Sequence, residues 1–144
     1  MNIYIREAQI SDYETITKLS VQLGYKTAND ETLQRLTEIL TSDNYCVFVA
    51  VADEKIAGWI QGCYSLRVES ETFVEIGGLV IDENFRRMGL GKTLVDKVIE
   101  WSVFKNCKKV RVRSNVMRGT AHEFYKNLGF VESKEQKVFS KSIR

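Results

Sequence analysis

The chain predicts an α+β domain built on one mixed sheet flanked by helices. Three observations carry this. Apolar residues alternate or run continuously in several short β-rich segments, and they recur at helical spacing in others. One long amphipathic segment directly follows a strand through a glycine-containing turn, as a parallel crossover requires. Its 144 residues with 44% hydrophobic content suffice for a single domain, 1–144, that buries about two-thirds of its unfolded surface.

In chain order, Ile3-Tyr4-Ile5-Arg6 reads as a short first strand. Ser11-Asp12-Tyr13-Glu14 reads as a capping box, the serine oxygen taking a free N–H and Glu14 reaching back. Tyr13, Ile16, Leu19 and Leu23 follow at helical spacing, with Gly24 as the stop. A second helix follows Asn29-Asp30, with Leu33, Leu36, Ile39 and Leu40 on one face. Tyr45 to Ala52 and Ile56 to Ser65 form a hairpin through Asp53-Glu54-Lys55, and a polar break leads into a strand from Thr72 to Ile81. From Leu90 a helix buries Leu94, Val95, Val98, Ile99 and Trp101. Val110 and Val112 alternate with Lys109, Arg111 and Arg113 as a half-buried strand. A short helix from about Gly119 to Leu128 stops at Gly129, and two last strands are expected at Phe130-Val131 and from Lys137 to Ile143. The order is β-α-α-β-β-β-α-β-α-β-β.

Composition excludes several classes of function. A net charge of +2 is too balanced to argue for nucleic acid, and no apolar run approaches the roughly 18 residues of a membrane span. Cys46, Cys63 and Cys107 are scattered and form no C-x-x-C pair, and the single histidine completes no zinc site with them. A reducing cytoplasm is the expected setting and no metal is expected. The basic cluster Lys105, Lys108, Lys109, Arg111, Arg113 and Arg118 lacks interleaved aromatics and reads mostly as a solvated face.

The most informative stretch is Arg86-Arg87-Met88-Gly89-Leu90-Gly91-Lys92, between a strand and a helix. Two glycines uncover backbone N–H groups at a helix start, where unpaired donors and a partial positive charge favour phosphate. A nucleotide-triphosphate loop fails here because its first glycine falls on Arg86. The dinucleotide fingerprint fails because its third glycine falls on Leu94. Upstream, Val74-Glu75-Ile76-Gly77-Gly78-Leu79-Val80-Ile81 places a carboxylate and a double glycine inside a strand. The glycines read as a bulge or as the close approach of a packed helix.

The spacing R-x-x-G-x-G (Arg86, Gly89, Gly91) closely resembles the acetyl-CoA loop of the GNAT N-acetyltransferases. Glu75-Ile76 with Leu79-Val80-Ile81 resembles that family's central strand, and Ala121-His122-Glu123-Phe124-Tyr125 through Gly129-Phe130 resembles its closing segment. A proline often found between strand and loop is absent from Asp82-Glu83-Asn84-Phe85. The resemblance implies acetyl transfer from acetyl-CoA straight to an amine, without an acyl-enzyme. Under it the segment Leu79, Val80, Ile81 receives the pantetheine arm, chiefly through backbone groups of Leu79 and Ile81. Backbone amides from Arg87 to Lys92 hold the pyrophosphate, with Arg86 and Arg87 adding charge and Met88, Gly89, Leu90 and Gly91 shaping the loop. Asn115 contacts the same arm, or is a plain turn residue.

Glu75 is the candidate general base, acting directly or through water; the bland reading is a surface or substrate-orienting carboxylate. Tyr125 is the candidate acid for the leaving thiolate, or a packing aromatic. His122 reads as structural. The expected acceptor is a small cationic or aminoglycoside-like amine, with Glu31, Glu38, Glu69 and Glu71 as available acids. Protein or peptide amines and a non-catalytic CoA-binding module are the alternatives, and a homodimer through the C-terminal hairpin is expected.

Overall fold

The computed structural model describes residues 1–113 and 119–144, which fall into two compact units, 1–113 and 114–144. The first holds β1 (Ile3–Glu7), α1 (Tyr13–Gln22), α2 (Asn29–Leu40), β2 (Tyr45–Ala52), β3 (Lys55–Ser65), β4 (Phe73–Ile81), α3 (Leu90–Phe104) and β5 (Val110–Val112). Its sheet has the order β1-β2-β3-β4-β5, antiparallel up to β4, with β4 and β5 parallel. A crossover helix, α3, makes that one parallel pairing possible.

Strand β2 is buried from Cys46 to Ala52 without alternation, because both faces of the sheet are covered. Register places Val49 beside Trp59 and Val80. On this face Val47, Val49 and Val51 pack with Ala8, Ile16 and Leu36, and Tyr13, Ile39, Leu40 and Trp59 border them under α1 and α2. The other face is covered by α3, whose Leu94, Val95 and Val98 are fully buried. Val98, Val74 and the Cys46 thiol surround Gly62 so closely that a Cβ there would lie 2.8 Å from the sulfur. Ile99, expected on this face, is instead exposed. The buried place one turn on is taken by Ser102, whose hydroxyl donates to the Val98 carbonyl at 2.7 Å and so needs no partner across the interface.

The start of α1 differs from the expected capping box. A short 3-10 turn, Ile10–Asp12, precedes the helix, and Asp12 rather than Ser11 acts as the acceptor. It takes the Gln9 amide at 2.8 Å and both guanidinium nitrogens of Arg6 at 2.8 and 3.0 Å. Glu14 is engaged by the Tyr13 hydroxyl instead, at 3.1 Å. The extra turn moves the first free N–H groups upstream, within reach of the residue that also faces Arg6 on β1. The expected stop is present: Gly24 donates to Val21 and Tyr25 to Ser20, the paired bonds that close a helix C-terminus.

The second unit holds α4 (Gly119–Asn127), which ends with Gly129 donating to Lys126 and Phe130 to Tyr125. The two last strands expected from Phe130 onward are not formed: residues 130–144 carry no strand ladder. Val131, Val138, Phe139 and Ile143 are each more than three-quarters exposed. A strand is stabilised by its ladder and its buried face, and this segment has neither within the described chain.

Candidate active site

The geometry starts at the double glycine. Pairing between β3 and β4 passes from Gln61 opposite Gly78 to Gly62 opposite Ile76, which leaves Gly77 as the extra residue of a bulge. The close neighbours are β3 side chains and not a helix. A Cβ on Gly77 would lie 3.1 Å from the Cys63 sulfur, and one on Gly78 would lie 2.8 Å from the Trp59 ring. On its other side β4 is paired with β5 only at Val74, Glu75 and Ile76. Its pairing with β3 continues to Ile81. Among the described residues, β4 from Gly77 to Ile81 therefore presents a free edge of N–H and C=O groups. An extended amide-bearing chain adds to such an edge as a strand would.

That edge runs directly into the loop. Asp82 accepts the Asn84 amide at 3.0 Å and donates its own N–H to the Ala57 carbonyl at 2.8 Å. Gln22, at the end of α1, accepts the Glu83 amide at 2.9 Å. These bonds hold the turn that in relatives of this pattern often carries a proline. Arg86 is extended, Arg87 has φ 66° and Gly89 has φ 77°. A Cβ on Gly89 would meet nothing within 4 Å, so the left-handed backbone, and not space, calls for glycine there.

Helix α3 starts at Leu90 with no side-chain cap, and the amides of Leu90, Gly91 and Lys92 have no acceptor among the described residues. Three uncapped donors at the start of a 15-residue helix are the arrangement that favours an anion. Arg86, Arg87 and Met88 are exposed around it. The Lys92 ammonium is turned along the helix to Asp96 at 2.9 Å, so its backbone rather than its charge faces the turn.

Glu75 lies opposite Cys63 on β3 and Arg111 on β5, on the face that α1 and α2 cover. Its side chain is about one-quarter exposed, at 27%, and one oxygen accepts from Arg113 Nε at 3.1 Å. The second oxygen has no bond among the described residues. Cys63 shares this face, but burial first, and the Glu75 carboxylate second, push its thiol up. Burial pushes the Cys46 thiol up to about 12. A neutral thiol is a poor nucleophile, so neither cysteine suits an acyl-enzyme route.

Tyr125 stands on α4, with its ring edge-to-face against Phe124 at 5.1 Å and Phe130 at 5.6 Å. His122 lies one turn earlier on the same helix. Asn115 and Arg118 lie outside the described residues. Two residues missed in the sequence, Arg113 as the partner of Glu75 and Trp59 as the neighbour of Gly78, became visible only with strand register. Two surface hollows, of about 430 and 550 Å³, share Glu7, Trp101 and Phe104 in their walls, and Glu75 lines neither.

A free strand edge that leads into an uncapped helix start is the geometry expected from the R-x-x-G-x-G spacing, and the family comparison agrees. The model of the acetyltransferase (GNAT) family matches residues 6–130. The chain belongs to this family.

Among curated relatives, an aminoglycoside N(6')-acetyltransferase type 1 of Salmonella enteritidis is 27% identical over 139 residues, covering 94% of this chain and 95% of the relative. The human N-acetylaspartate synthetase is 32% identical over 85 residues, covering 59% of this chain. The chain spans only 27–30% of the length of the N-acetylaspartate synthetases it matches. The structure of the aminoglycoside acetyltransferase AAC(6')-Iy with a CoA bisubstrate analogue superimposes on this chain with a TM-score of 0.89. It is 23% identical and 99% of each chain is covered. At that identity the likeness establishes the fold.

Proposed function

We propose that this acetyltransferase transfers the acetyl group of acetyl-CoA directly to a primary amine of a small molecule. The observation that carries the proposal is the free β4 edge running into the uncapped start of α3. Backbone groups of Leu79 and Ile81 would bond the pantetheine amides. The amides from Arg87 to Lys92, with the Arg86 and Arg87 charges, would hold the pyrophosphate.

An alkyl ammonium with pKa near ~10.4 is about one part in a thousand neutral at pH 7, so a proton must leave before nitrogen attacks. Glu75 takes that proton through its unbonded oxygen, directly or by way of water. The nitrogen then bonds the carbonyl carbon, gives up its second proton to solvent, and the C–S bond breaks as the carbonyl re-forms. Tyr125 gives a proton to the departing thiolate, a role that rests on the resemblance of α4 to the family's closing segment, as does the Asn115 contact with the arm. The 6–130 family match supports a single acetyltransferase domain that includes both residues. The setting proposed is the cytoplasm, with no metal, and with neither nucleic acid nor membrane as partner.

Amino sugars of the aminoglycoside kind are the first acceptors to test, because a relative of nearly equal length carries that name. Small amino acids come second, on the N-acetylaspartate synthetase match. The C-terminal segment, with four large apolar side chains exposed, is proposed to mediate a homodimer.

The test is CoA-thiol release from acetyl-CoA across a panel of aminoglycosides, amino sugars, amino acids and peptides, with Glu75→Gln and Tyr125→Phe as controls. Transfer is expected to fall by ~10²-fold or more in each variant while acetyl-CoA still binds. Wild-type turnover in Glu75→Gln would remove the base role. Wild-type turnover in Tyr125→Phe would remove the acid role.

A further inference from the structure

The sheet face that carries Glu75 holds more guanidinium than the reaction uses. Arg111, paired with Glu75 across β4 and β5, is half-buried, yet it has no carboxylate within ion-pair distance among the described residues. Its guanidinium carbon lies 4.6 Å from the centre of the buried Phe73 ring, and that of Arg67 lies 5.0 Å from the same ring. Among the described residues Arg67 makes a side-chain hydrogen bond to the Ser65 hydroxyl, at 3.3 Å, and no ion pair. Arg113 completes the group on Glu75 itself. Glu69 and Glu71, in the adjoining connection, pair with none of the three.

By register, Ser65, Phe73, Cys63 and Glu75 stand on one face, so the guanidinia over Phe73 lie on the face that carries the candidate base. Stacking on a ring fixes the planar fork and leaves its N–H edge open for a planar or tetrahedral oxyanion. Of the acids suited to a polycation, Glu31 is engaged: it caps α2 through the Ala28 amide at 3.0 Å and reaches Arg35.

We infer that the preferred acceptor carries an anionic group, a carboxylate or a phosphate, close to its reactive amine, held by Arg111 and Arg67 while the ammonium rests on Glu75. This rests on the acetyl-transfer reading and narrows its acceptor.

Matched pairs test it: glucosamine 6-phosphate against glucosamine, and aspartate or glycine against glycinamide. The expected result is a kcat/KM at least about tenfold higher for the acid-bearing member of a pair, the phosphate and carboxylate arms showing which acid fits. In Arg111→Gln and Arg67→Gln that ratio falls toward one, and Arg111→Lys restores part of it. Thermal shift with the same compounds gives a readout free of turnover, with stabilisation by the acid-bearing member lost in Arg111→Gln. Equal use of both members, or preference for a polycationic aminoglycoside, overturns the inference and leaves acetyl transfer standing. Acid-selective stabilisation without any transfer retains the anion site and overturns the transfer reading. Neither selectivity nor stabilisation overturns both.

Discussion

At the scale of single residues, two close contacts decide what the sequence tolerates. Gly78 is glycine because the Trp59 ring occupies the space of its side chain, 2.8 Å from where a Cβ would stand. Gly78→Ala is expected to cost about 1–3 kcal/mol in urea denaturation, because the ring is held in the core and cannot swing away freely. Trp59→Phe removes the atoms in conflict, so the double variant should lose less stability than the two single costs added together.

Asp12 is the second case. Burial alone would raise its pKa, but the Arg6 guanidinium and the Gln9 amide outweigh this and hold its carboxyl below the usual carboxylate range. Its folded pKa is thus below its unfolded one. The stability it contributes is present above the unfolded value, near ~3.9, and is lost as pH falls from there through the folded pKa. Denaturation midpoints measured between pH 2.5 and 7 should show this acid limb in the wild-type chain. Asp12→Asn should be less stable at pH 7 and should show a shallower limb.

At the scale of elements, most boundaries were legible because each rests on local chemistry. The helix faces follow the 3.6-residue recurrence, and the hairpin follows the polar break at Asp53-Glu54-Lys55. The turn itself was less legible. Asp53 and Glu54 sit at φ 49° and 69°, the left-handed pair of a tight hairpin, in a sequence without the usual glycine. Asp53 is held there by accepting the Asn2 amide at 2.9 Å. Glu54 has no such bond, so Glu54→Gly is expected to raise stability by up to about 1 kcal/mol, seen as a rise of a few degrees in Tm. The start of α1 was misread for a related reason: the 3-10 turn before the helix makes Asp12 the residue that reaches back to the Gln9 amide, and Arg6 on β1 pairs with it there.

At the scale of the whole molecule, the C-terminal segment is the departure with consequences. Phe130-Val131 and Lys137 to Ile143 read as strands, yet residues 130–144 form no ladder, and Val138, Phe139 and Ile143 stay exposed. Such surface favours association. Sedimentation velocity is expected to show a dimer that shifts toward monomer in Val138→Lys with Phe139→Lys. A monomer in the wild-type chain at micromolar concentration would remove the proposed homodimer.

The sequence by itself determined the family, the order of elements up to α4 and the glycine-containing turn before α3. All of these depend on spacing along the chain: which residues recur on a face, and how far the glycines stand from the strand. Tertiary structure decided what stands across from what. Strand register made Gly77 the bulged residue and, among the described residues, left β4 from Gly77 to Ile81 without a partner on the β5 side. Register also set Arg113 on Glu75 and gathered Arg67 and Arg111 over Phe73. Glu75 and Arg113 are 38 residues apart, and no local periodicity encodes such a pairing. It arises only when separate strands are brought into register by the cores packed on both faces of the sheet.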